Sequence, residues 1–105
     1  MNIIDKFRLD GKKAYVTGGA RGIGKSVALA FAQAGADVAI VDLDLCEAEK
    51  TAAEIKSYGV KSIAIKADIS KPEDVDMMMK EIINAFGTID VAFNNAGICI
   101  NKNVE

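Results

Sequence analysis

Residues 18–26 have the glycine spacing of a phosphate-binding loop, and they match two such patterns at once. Counted from Gly19, four residues and then Gly24-Lys25-Ser26 match the loop that binds nucleoside triphosphates. Counted from Gly18, the further glycines Gly22 and Gly24 match the turn that binds the pyrophosphate of a dinucleotide. One loop cannot hold both ligands in the same way, so the surrounding residues must decide.

The positions of the glycines favour the dinucleotide. Gly18 lets the chain turn sharply off a strand, Gly22 removes a side chain where the backbone approaches a pyrophosphate, and Gly24 lets a helix pack closely on the sheet. A triphosphate loop requires neither Gly18 nor Gly22. In the dinucleotide interpretation the amides at the start of the helix face the phosphates, and Lys25 and Ser26 are ordinary exposed residues of the first turn.

The next acidic residue along the chain favours a particular dinucleotide. Asp42 lies 18 residues beyond Gly24 at the end of an apolar segment, where a carboxylate can accept two hydrogen bonds from an adenosine ribose. It would repel a 2′-phosphate, and Leu43 rather than an arginine follows it, which favours NAD over NADP. Arg21 argues for NADP, but Asp42 acts at the ribose itself and carries more weight. The alternative for Asp42 is to cap the helix that begins near Leu45.

Two later segments place polar or small residues at the ends of strands. Asp68 follows the third strand, where a carboxylate can accept from the adenine amino group; its alternative is a cap or turn residue. Asn94-Asn95-Ala96-Gly97 follows the fourth strand, where small residues permit close approach of a cofactor and an asparagine can tie strands together. Open α/β sheets bind ligands at this edge.

Short apolar segments alternate with helical ones, which predicts an α/β fold with a parallel sheet covered on both faces. We predict strands at residues 13–17, 38–41, 62–65 and 89–93, and helices at 22–34, at 46–58 and from Ser70 to Gly87. In the first helix the apolar positions are Ile23, Val27, Phe31 and Ala34. In the third helix Ser70 and Glu73 predict a capping box, Pro72 suits the first turn, and residues 77–79, all methionine, are expected to fill the core.

Composition excludes several classes of function. The chain has 105 residues, half of them hydrophobic, and a formal net charge of −2, which predicts one domain that binds neither nucleic acid nor an anionic membrane. No apolar run reaches the roughly 18 residues of a membrane span, and the first residues lack a signal-peptide pattern, so we expect a cytoplasmic protein. Histidine is absent, and Cys46 and Cys99 fit no metal or disulfide pattern.

These motifs together resemble the short-chain dehydrogenase/reductase family. The resemblance rests on Thr17-Gly18-Gly19-Ala20-Arg21-Gly22-Ile23-Gly24, Asp42, Asp68 and Asn94-Asn95-Ala96-Gly97, and it covers nearly the whole chain. It implies that residues 1–105 are the amino-terminal, cofactor-binding part of such an enzyme. The implied fold is a Rossmann-type doubly wound parallel sheet of four strands in the order 3-2-1-4, truncated relative to the full fold. Residues 7–12 are similar to members that act on sugars, polyols or 3-oxoacyl groups.

The resemblance also implies roles for individual residues. The backbone around Arg21, Gly22 and Ile23 would contact the pyrophosphate, Asp42 the adenosine ribose, and Asp68 with Ile69 the adenine. The remaining three, Asn95, Ala96 and Gly97, would lie beside the ribose nearer the nicotinamide. The complete set of candidate cofactor-binding residues is Gly18, Arg21, Gly22, Ile23, Gly24, Asp42, Leu43, Asp68, Ile69, Asn95, Ala96 and Gly97.

The residues that would carry out the family's reaction are not found in this sequence. The resemblance implies an alcohol–carbonyl interconversion by hydride transfer that uses a serine, a tyrosine and a lysine four residues after the tyrosine. Tyr15 is followed four residues later by Gly19, and the lysine after Tyr58 is Lys61, at the wrong spacing. We therefore expect this chain alone to be inactive.

The implied strand order leaves the fourth strand at an edge. Residues 91–93 would then expose apolar surface and unpaired backbone groups, so we expect either a longer enzyme or self-association into a homo-oligomer. Three alternatives to the oxidoreductase stay open at this point. They are a non-catalytic dinucleotide-binding or interaction module, the triphosphate-binding protein, and a methyltransferase, whose first loop usually follows an acid where Thr17 stands here.

Overall fold

A computed structural model describes residues 8–95, and it contains four strands and three helices in the predicted order. The strands are β1 (Lys13–Thr17), β2 (Asp37–Asp42), β3 (Ser62–Lys66) and β4 (Val91–Asn94). The helices are α1 (Gly22–Gln33), α2 (Leu45–Lys56) and α3 (Pro72–Phe86). Each predicted strand and helix is confirmed, with bounds that differ by a residue or two.

The strands form one sheet in the order β3-β2-β1-β4, and every neighbouring pair is parallel. In the central strand, Val16 lies opposite Ile40 of β2 and Phe93 of β4. The predicted order 3-2-1-4 is therefore confirmed. Because all four strands run the same way, the segments that follow them meet at one edge of the sheet.

Successive residues of the strands point to opposite faces, and each face is covered by helices. Ala14 and Val16 of β1 pack in one buried cluster with residues of α1 and α2, whereas Tyr15 packs in a second cluster with Met78 and Ile82 of α3. The period of two residues in a strand produces this division. The prediction of helices on both faces is confirmed.

The buried residues of α1 follow the apolar spacing only in part, and they include Gly24, which was predicted to pack closely on the sheet. The buried residues of this helix are Gly24, Ala28 and Ala32, whereas Ile23 is 70% exposed. The predicted Val27 and Phe31 are only partly buried and pack against the same cluster from its side. Small side chains on the central stripe let the helix backbone approach the sheet, so residue size rather than hydrophobicity decides which side faces inward.

The predicted capping box at the start of α3 is wrong. Lys71 is the N-cap residue and makes no side-chain capping bond. The Ser70 hydroxyl instead donates to Oδ1 of Asp68 at 2.6 Å. Pro72 does occupy the first helical turn, and Gly87 ends the helix with a left-handed backbone at φ 87°.

The three consecutive methionines of α3 do not share one environment. Met78 is 2% exposed and Met79 is half-buried against the same cluster, so the core-filling prediction holds for these two. Met77 is 38% exposed and contradicts it. Consecutive residues of a helix point about 100° apart, so three in a row cannot all face the sheet.

Two carboxylates fasten the amino ends of the strands. Asp37, at the start of β2, accepts from Lys13 Nζ at 2.5 Å and from the Lys61 amide at 2.8 Å, which joins the starts of β1, β2 and β3. Asp90, which directly precedes β4, accepts from the Lys13 amide at 2.9 Å. Burial by itself would raise the pKa of Asp37, but the bonds from Lys13 and Lys61 outweigh burial and lower that pKa.

Candidate functional site

The glycine loop, residues 18–24, leaves the carboxyl end of β1 and leads directly into α1. Gly18 has φ 66° and Gly22 has φ 64°, both in the left-handed region that glycine adopts without strain. The Gly18 amide donates to the Val41 carbonyl at 2.7 Å, so the loop turns toward the end of β2. Within residues 8–95, and apart from its chain neighbours, no atom lies within 4 Å of where a Cβ on Gly22 would sit, so the described part of the chain leaves the surface of the loop open there.

Close packing restricts two other glycines in this loop, Gly24 by a direct clash and Gly19 by tight contacts. A Cβ on Gly24 would collide with the Gly18 carbonyl oxygen and lie 3.2 Å from Nδ2 of Asn95. A Cβ on Gly19 would lie 3.1 Å from the Val16 carbonyl oxygen and 3.2 Å from a methyl group of Ile40. Gly19 was not part of the predicted dinucleotide pattern, although the consecutive glycines Gly18-Gly19 were a signal of close packing there.

The amino terminus of α1 differs from those of the other two helices among the described residues. Its N-cap residue, Arg21, makes no side-chain capping bond, and its first turn contains no acidic residue. Helix α2 has both a capping aspartate and an acid in its first turn, and α3 has two acids there. The first amides of α1 are therefore not neutralised by side chains, which is the electrostatic setting that binds an anion such as phosphate.

Asp42 lies at the end of β2 and holds the glycine loop in place. Its Oδ2 accepts from the Ala20 amide at 3.1 Å, and its Oδ1 accepts from the Asp44 amide at 3.0 Å. The helix-cap alternative for Asp42 is wrong, because Asp44 is the N-cap of α2 and accepts from the Glu47 amide at 3.1 Å. A carboxylate has about four acceptor positions, so each oxygen of Asp42 retains the capacity to accept from a ligand.

The other side of the Ala20 peptide is held by α2. The Thr51 hydroxyl donates to the Ala20 carbonyl at 3.0 Å, and Thr51 is 1% exposed. Asp42 and Thr51 thus fix the amide and the carbonyl of the same loop residue. Sequence reasoning missed Thr51; the available signal was a hydroxyl on the face that Ala48 and Ala52 place against the sheet.

Arg21 does not extend freely over the loop. Its Nη2 lies 2.6 Å from Oδ2 of Asp44, in an ion pair whose side chains are 67% and 41% exposed. Arg21, the cation that argued for NADP, is therefore paired with Asp44, the N-cap residue of α2.

Asp68 and Ile69 follow β3 at the same edge of the sheet. The Ala67 amide donates to the Asp42 carbonyl at 3.3 Å, which places this segment beside the end of β2. The Asp68 carboxylate accepts from both the hydroxyl and the amide of Ser70, and these bonds lower the pKa of Asp68. The turn role considered for Asp68 is therefore present, and its adenine role stays a prediction.

Two asparagines at the end of β4 join this strand to its neighbours. Asn94 contacts β1, and Asn95 contacts the glycine loop. The Thr17 hydroxyl donates to Oδ1 of Asn94, and Nδ2 of Asn95 donates to the Gly18 carbonyl, each at 3.5 Å. The prediction that an asparagine ties neighbouring strands is confirmed. Ala96 and Gly97, which belong to the same motif, lie outside the described residues.

Two large apolar side chains at this edge remain in contact with solvent. Leu43, directly after Asp42, is 61% exposed, and Ile23, in the first turn of α1, is 70% exposed. Exposed apolar side chains beside polar groups that converge on one edge are typical of a ligand site.

The residues that defined the triphosphate pattern point elsewhere. Lys25 Nζ lies 3.3 Å from Oε1 of Glu54 on α2, with the lysine side chain 39% exposed, and Ser26 is exposed on the helix. Both lie in the first turn of α1, as predicted. The predicted exposure holds for Ser26, whereas Lys25 is half-exposed. Neither takes the position over the loop that a triphosphate would require.

Neither tyrosine of the sequence lies at this edge. Tyr15 is 9% exposed within the α3 face of β1. The Tyr58 hydroxyl accepts from Nε2 of Gln33 at 3.0 Å, just after α2 and before the start of β3. The arrangement at the carboxyl edge can bind a diphosphate, a ribose and a base, but it brings no tyrosine to them.

Comparison with known proteins agrees with this geometry. The family model described as short chain dehydrogenase matches residues 12–105, so the chain belongs to the short-chain dehydrogenase family. Members of this family bind NAD or NADP. Membership also places the chain outside the methyltransferase and triphosphate-binding alternatives.

Two curated relatives and one solved structure illustrate the similarity. A sorbose reductase from Candida albicans is 47% identical over 97 residues, covering 92% of this chain and 34% of that protein. A 3-oxoacyl-[acyl-carrier-protein] reductase from Staphylococcus epidermidis is 47% identical over 88 residues, covering 83% of this chain and 36% of that protein. The crystal structure of a hydroxysteroid dehydrogenase from Escherichia coli superposes with a TM-score of 0.84 at 38% identity, covering 89% of this chain and 40% of that one. The chain thus spans little more than a third of the curated relatives that it matches.

Proposed function

We propose that this chain is the NAD-binding part of a short-chain oxidoreductase that interconverts an alcohol and a carbonyl by hydride transfer. The observation that carries the proposal is the position of Asp42, whose carboxylate stands at the end of β2 and is bonded to the glycine loop through the Ala20 amide. A loop that binds a diphosphate and an acid that binds a ribose are thereby held side by side.

Each part of the cofactor has matching groups. The pyrophosphate is assigned to the first amides of α1 at Gly22, Ile23 and Gly24, because that helix end is uncapped and the space beside Gly22 is open. The adenosine ribose is assigned to Asp42. The adenine is assigned to the exposed Leu43 together with Asp68 and Ile69, and the second ribose to Asn95, Ala96 and Gly97. When bound, the nicotinamide supplies the acceptor or donor of the hydride.

The preference for NAD over NADP follows from charge. Within residues 8–95, Asp42 accepts only from backbone amides and no cation pairs with it, so its negative charge faces whatever binds at the ribose. A 2′-phosphate there would meet that charge at close range. Arg21, the cation that could offset it, is paired with Asp44.

The substrate is proposed as a sugar, a polyol or a 3-oxoacyl group. The support is the similarity of residues 7–12 to family members of these kinds, together with the printed names of the two relatives, which refer to sorbose and to 3-oxoacyl chains. No tyrosine in this sequence is followed four residues later by a lysine. We therefore propose that residues 1–105 form one cofactor-binding unit that is inactive by itself.

The free edge of the sheet supports a further part or a second copy beside β4. This strand pairs only with β1 in the described part of the chain, with Ala92 exposed and Val91 and Phe93 half-buried. We propose that a homo-oligomer or the rest of a longer enzyme covers it. Among residues 8–95 no helix combines the length and apolarity that crossing a membrane requires. The composition supports the proposal of a cytoplasmic location without nucleic-acid partners.

Nucleotide titration of the chain labelled with nitrogen-15 tests the cofactor assignment. NADH is expected to shift the amides of residues 18–24, 42–44 and 67–69 at lower concentrations than ATP–Mg²⁺ or S-adenosylmethionine. Asp42→Ala removes two charge-assisted hydrogen bonds to the ribose, so NADH affinity should fall about 100-fold, which abolishes the shifts of a weak ligand. Asp76→Ala removes an exposed acid of α3 and serves as the matched control.

Two results would contradict the proposal. One is tighter binding of ATP–Mg²⁺ or S-adenosylmethionine than of NADH. The other is an Asp42→Ala variant with the NADH affinity and the NADH-over-NADPH preference of the original chain. Turnover of an alcohol with NAD by these 105 residues alone would contradict the statement that the unit is inactive.

A further inference from the structure

Arg21 and Asp44 belong to the same connected group as the ribose-binding acid. Arg21 directly follows Ala20, whose amide is bonded to one oxygen of Asp42, and the Asp44 amide is bonded to the other oxygen at 3.0 Å. The ion pair between Arg21 and Asp44 closes this ring at 2.6 Å. We call these four residues the β2-end cluster.

Asp44 makes two different contacts with its two carboxylate oxygens. Oδ1 accepts from the Glu47 amide at 3.1 Å and caps α2, whereas Oδ2 binds the guanidinium of Arg21. Capping requires only an oxygen acceptor, which asparagine or serine supplies equally well. The negative charge of Asp44 is therefore used by the contact with Arg21 rather than by the cap.

We propose that Asp44 is a positioning residue for cofactor choice, because it holds the one cation of the glycine loop away from a ribose 2′-phosphate. The inference rests on the proposed function and extends it. Selection against a 2′-phosphate then has two components in the β2-end cluster. Asp42 repels the phosphate directly, and Asp44 occupies the arginine that would otherwise bind it.

The size of the second component follows from the exposure of the pair. The side chains of Arg21 and Asp44 are 67% and 41% exposed, so water screens their attraction. An exposed ion pair of this kind is worth up to about fivefold in an equilibrium constant. We therefore expect release of Arg21 to improve binding of a 2′-phosphate by up to about fivefold, while Asp42 still favours the unphosphorylated ribose.

The decisive measurement compares two probes that differ only by the phosphate in question. Adenosine 5′-monophosphate and adenosine 2′,5′-bisphosphate are titrated into the labelled 105-residue chain, and the ratio of their dissociation constants is recorded. Asp44→Asn keeps the oxygen that caps α2 but turns an NH₂ group, which donates hydrogen bonds, toward the donor Arg21. This variant is expected to shift the ratio toward the bisphosphate, by up to about fivefold.

Three further variants show whether the shift acts through the arginine. Arg21→Gln combined with Asp44→Asn should lack the gain, because no released cation remains. Arg21→Gln alone gives the reference for that double variant. Glu47→Gln removes the same charge from the same helix turn at a residue whose partner is Lys50, and its ratio should equal that of the unaltered chain.

The outcomes separate this inference from the function on which it rests. An Asp44→Asn ratio equal to that of the unaltered chain overturns the inference, and so does a double variant that retains the gain. Failure of both nucleotides to bind the unaltered chain overturns the proposed function, and the inference with it.

Discussion

Strand β2 carries an aspartate at each end, and the two carboxylates have opposite kinds of partners. Asp37 at the amino end is bonded to the ammonium group of Lys13 and to the Lys61 amide, and its side chain is 12% exposed. Asp42 at the carboxyl end is half-buried and is bonded only to the amides of Ala20 and Asp44 in the part of the chain that the structure describes.

The difference shows how the role of a carboxylate depends on what neutralises it. The charge of Asp37 is cancelled by the ammonium group of Lys13, and its hydrogen bonds join three strands. Asp42 is also held by two hydrogen bonds, but both come from backbone amides, so within residues 8–95 no cation cancels its charge. Residue type and strand are the same in both cases, and the partners are the reason we propose a structural role for Asp37 and a binding role for Asp42.

The largest effect that tests this comparison is on stability. Asp37→Asn should lower the free energy of unfolding by about 2 to 3 kcal/mol, because it leaves the partly buried ammonium of Lys13 without a counter-charge. Asp42→Asn should lower it by about 1 kcal/mol, since no charge loses a partner there. Urea denaturation of both variants measures the two losses, and equal losses would break the proposed division between the two ends.

Urea denaturation at two pH values tests whether the charge of Asp37 causes the loss of stability. The folded-state pKa of Asp37 lies below its ordinary value of 3.8, so the folded state favours the charged carboxylate. Its stabilising contribution is therefore complete above the unfolded-state pKa and is lost as the pH falls through the lowered folded-state pKa. The stability gap between the unaltered chain and Asp37→Asn should be full at pH 7 and narrow below about pH 4. A gap that does not change with pH would assign it to packing rather than charge.

The sequence was sufficient for the order and type of every element because each signal was local. The helical period identified the three helices, and Gly35, Gly59 and Gly87, all with positive φ, follow their ends. The inward side of α1 was not predictable from hydrophobicity, because Gly24, Ala28 and Ala32 were selected by how closely the helix approaches the sheet. That distance is a property of the folded molecule.

The candidate site was predicted where a motif fixes both residue and spacing. The places of Gly18, Gly22 and Asp42 follow from such a pattern. The partners that hold the loop do not follow from it. Thr51 of α2 and Asp44, the N-cap of α2, lie 31 and 23 residues from the loop residues that they contact, and no spacing rule relates a helix to a loop so far away in sequence. The capping box of Ser70 and Glu73 failed because α3 begins one residue later than the box requires, with Lys71 rather than Ser70 as its N-cap.

The smallest predicted effect separates the two ends most cleanly, because each end has one buried hydroxyl bonded to a backbone carbonyl. Thr51 donates to Ala20 at 3.0 Å beside the site, and Ser62 donates to Val38 at 2.7 Å near the amino end. Thr51→Val and Ser62→Ala should each lower the free energy of unfolding by about 1 kcal/mol in urea denaturation.

Only Thr51→Val should also weaken NADH binding, by about fivefold, because it releases the peptide that Asp42 holds from the other side. Thr51→Ser keeps the hydroxyl and should restore affinity. If Ser62→Ala weakened NADH binding as much as Thr51→Val, the loop would be responding to general loss of stability, and Thr51 would have no positioning role.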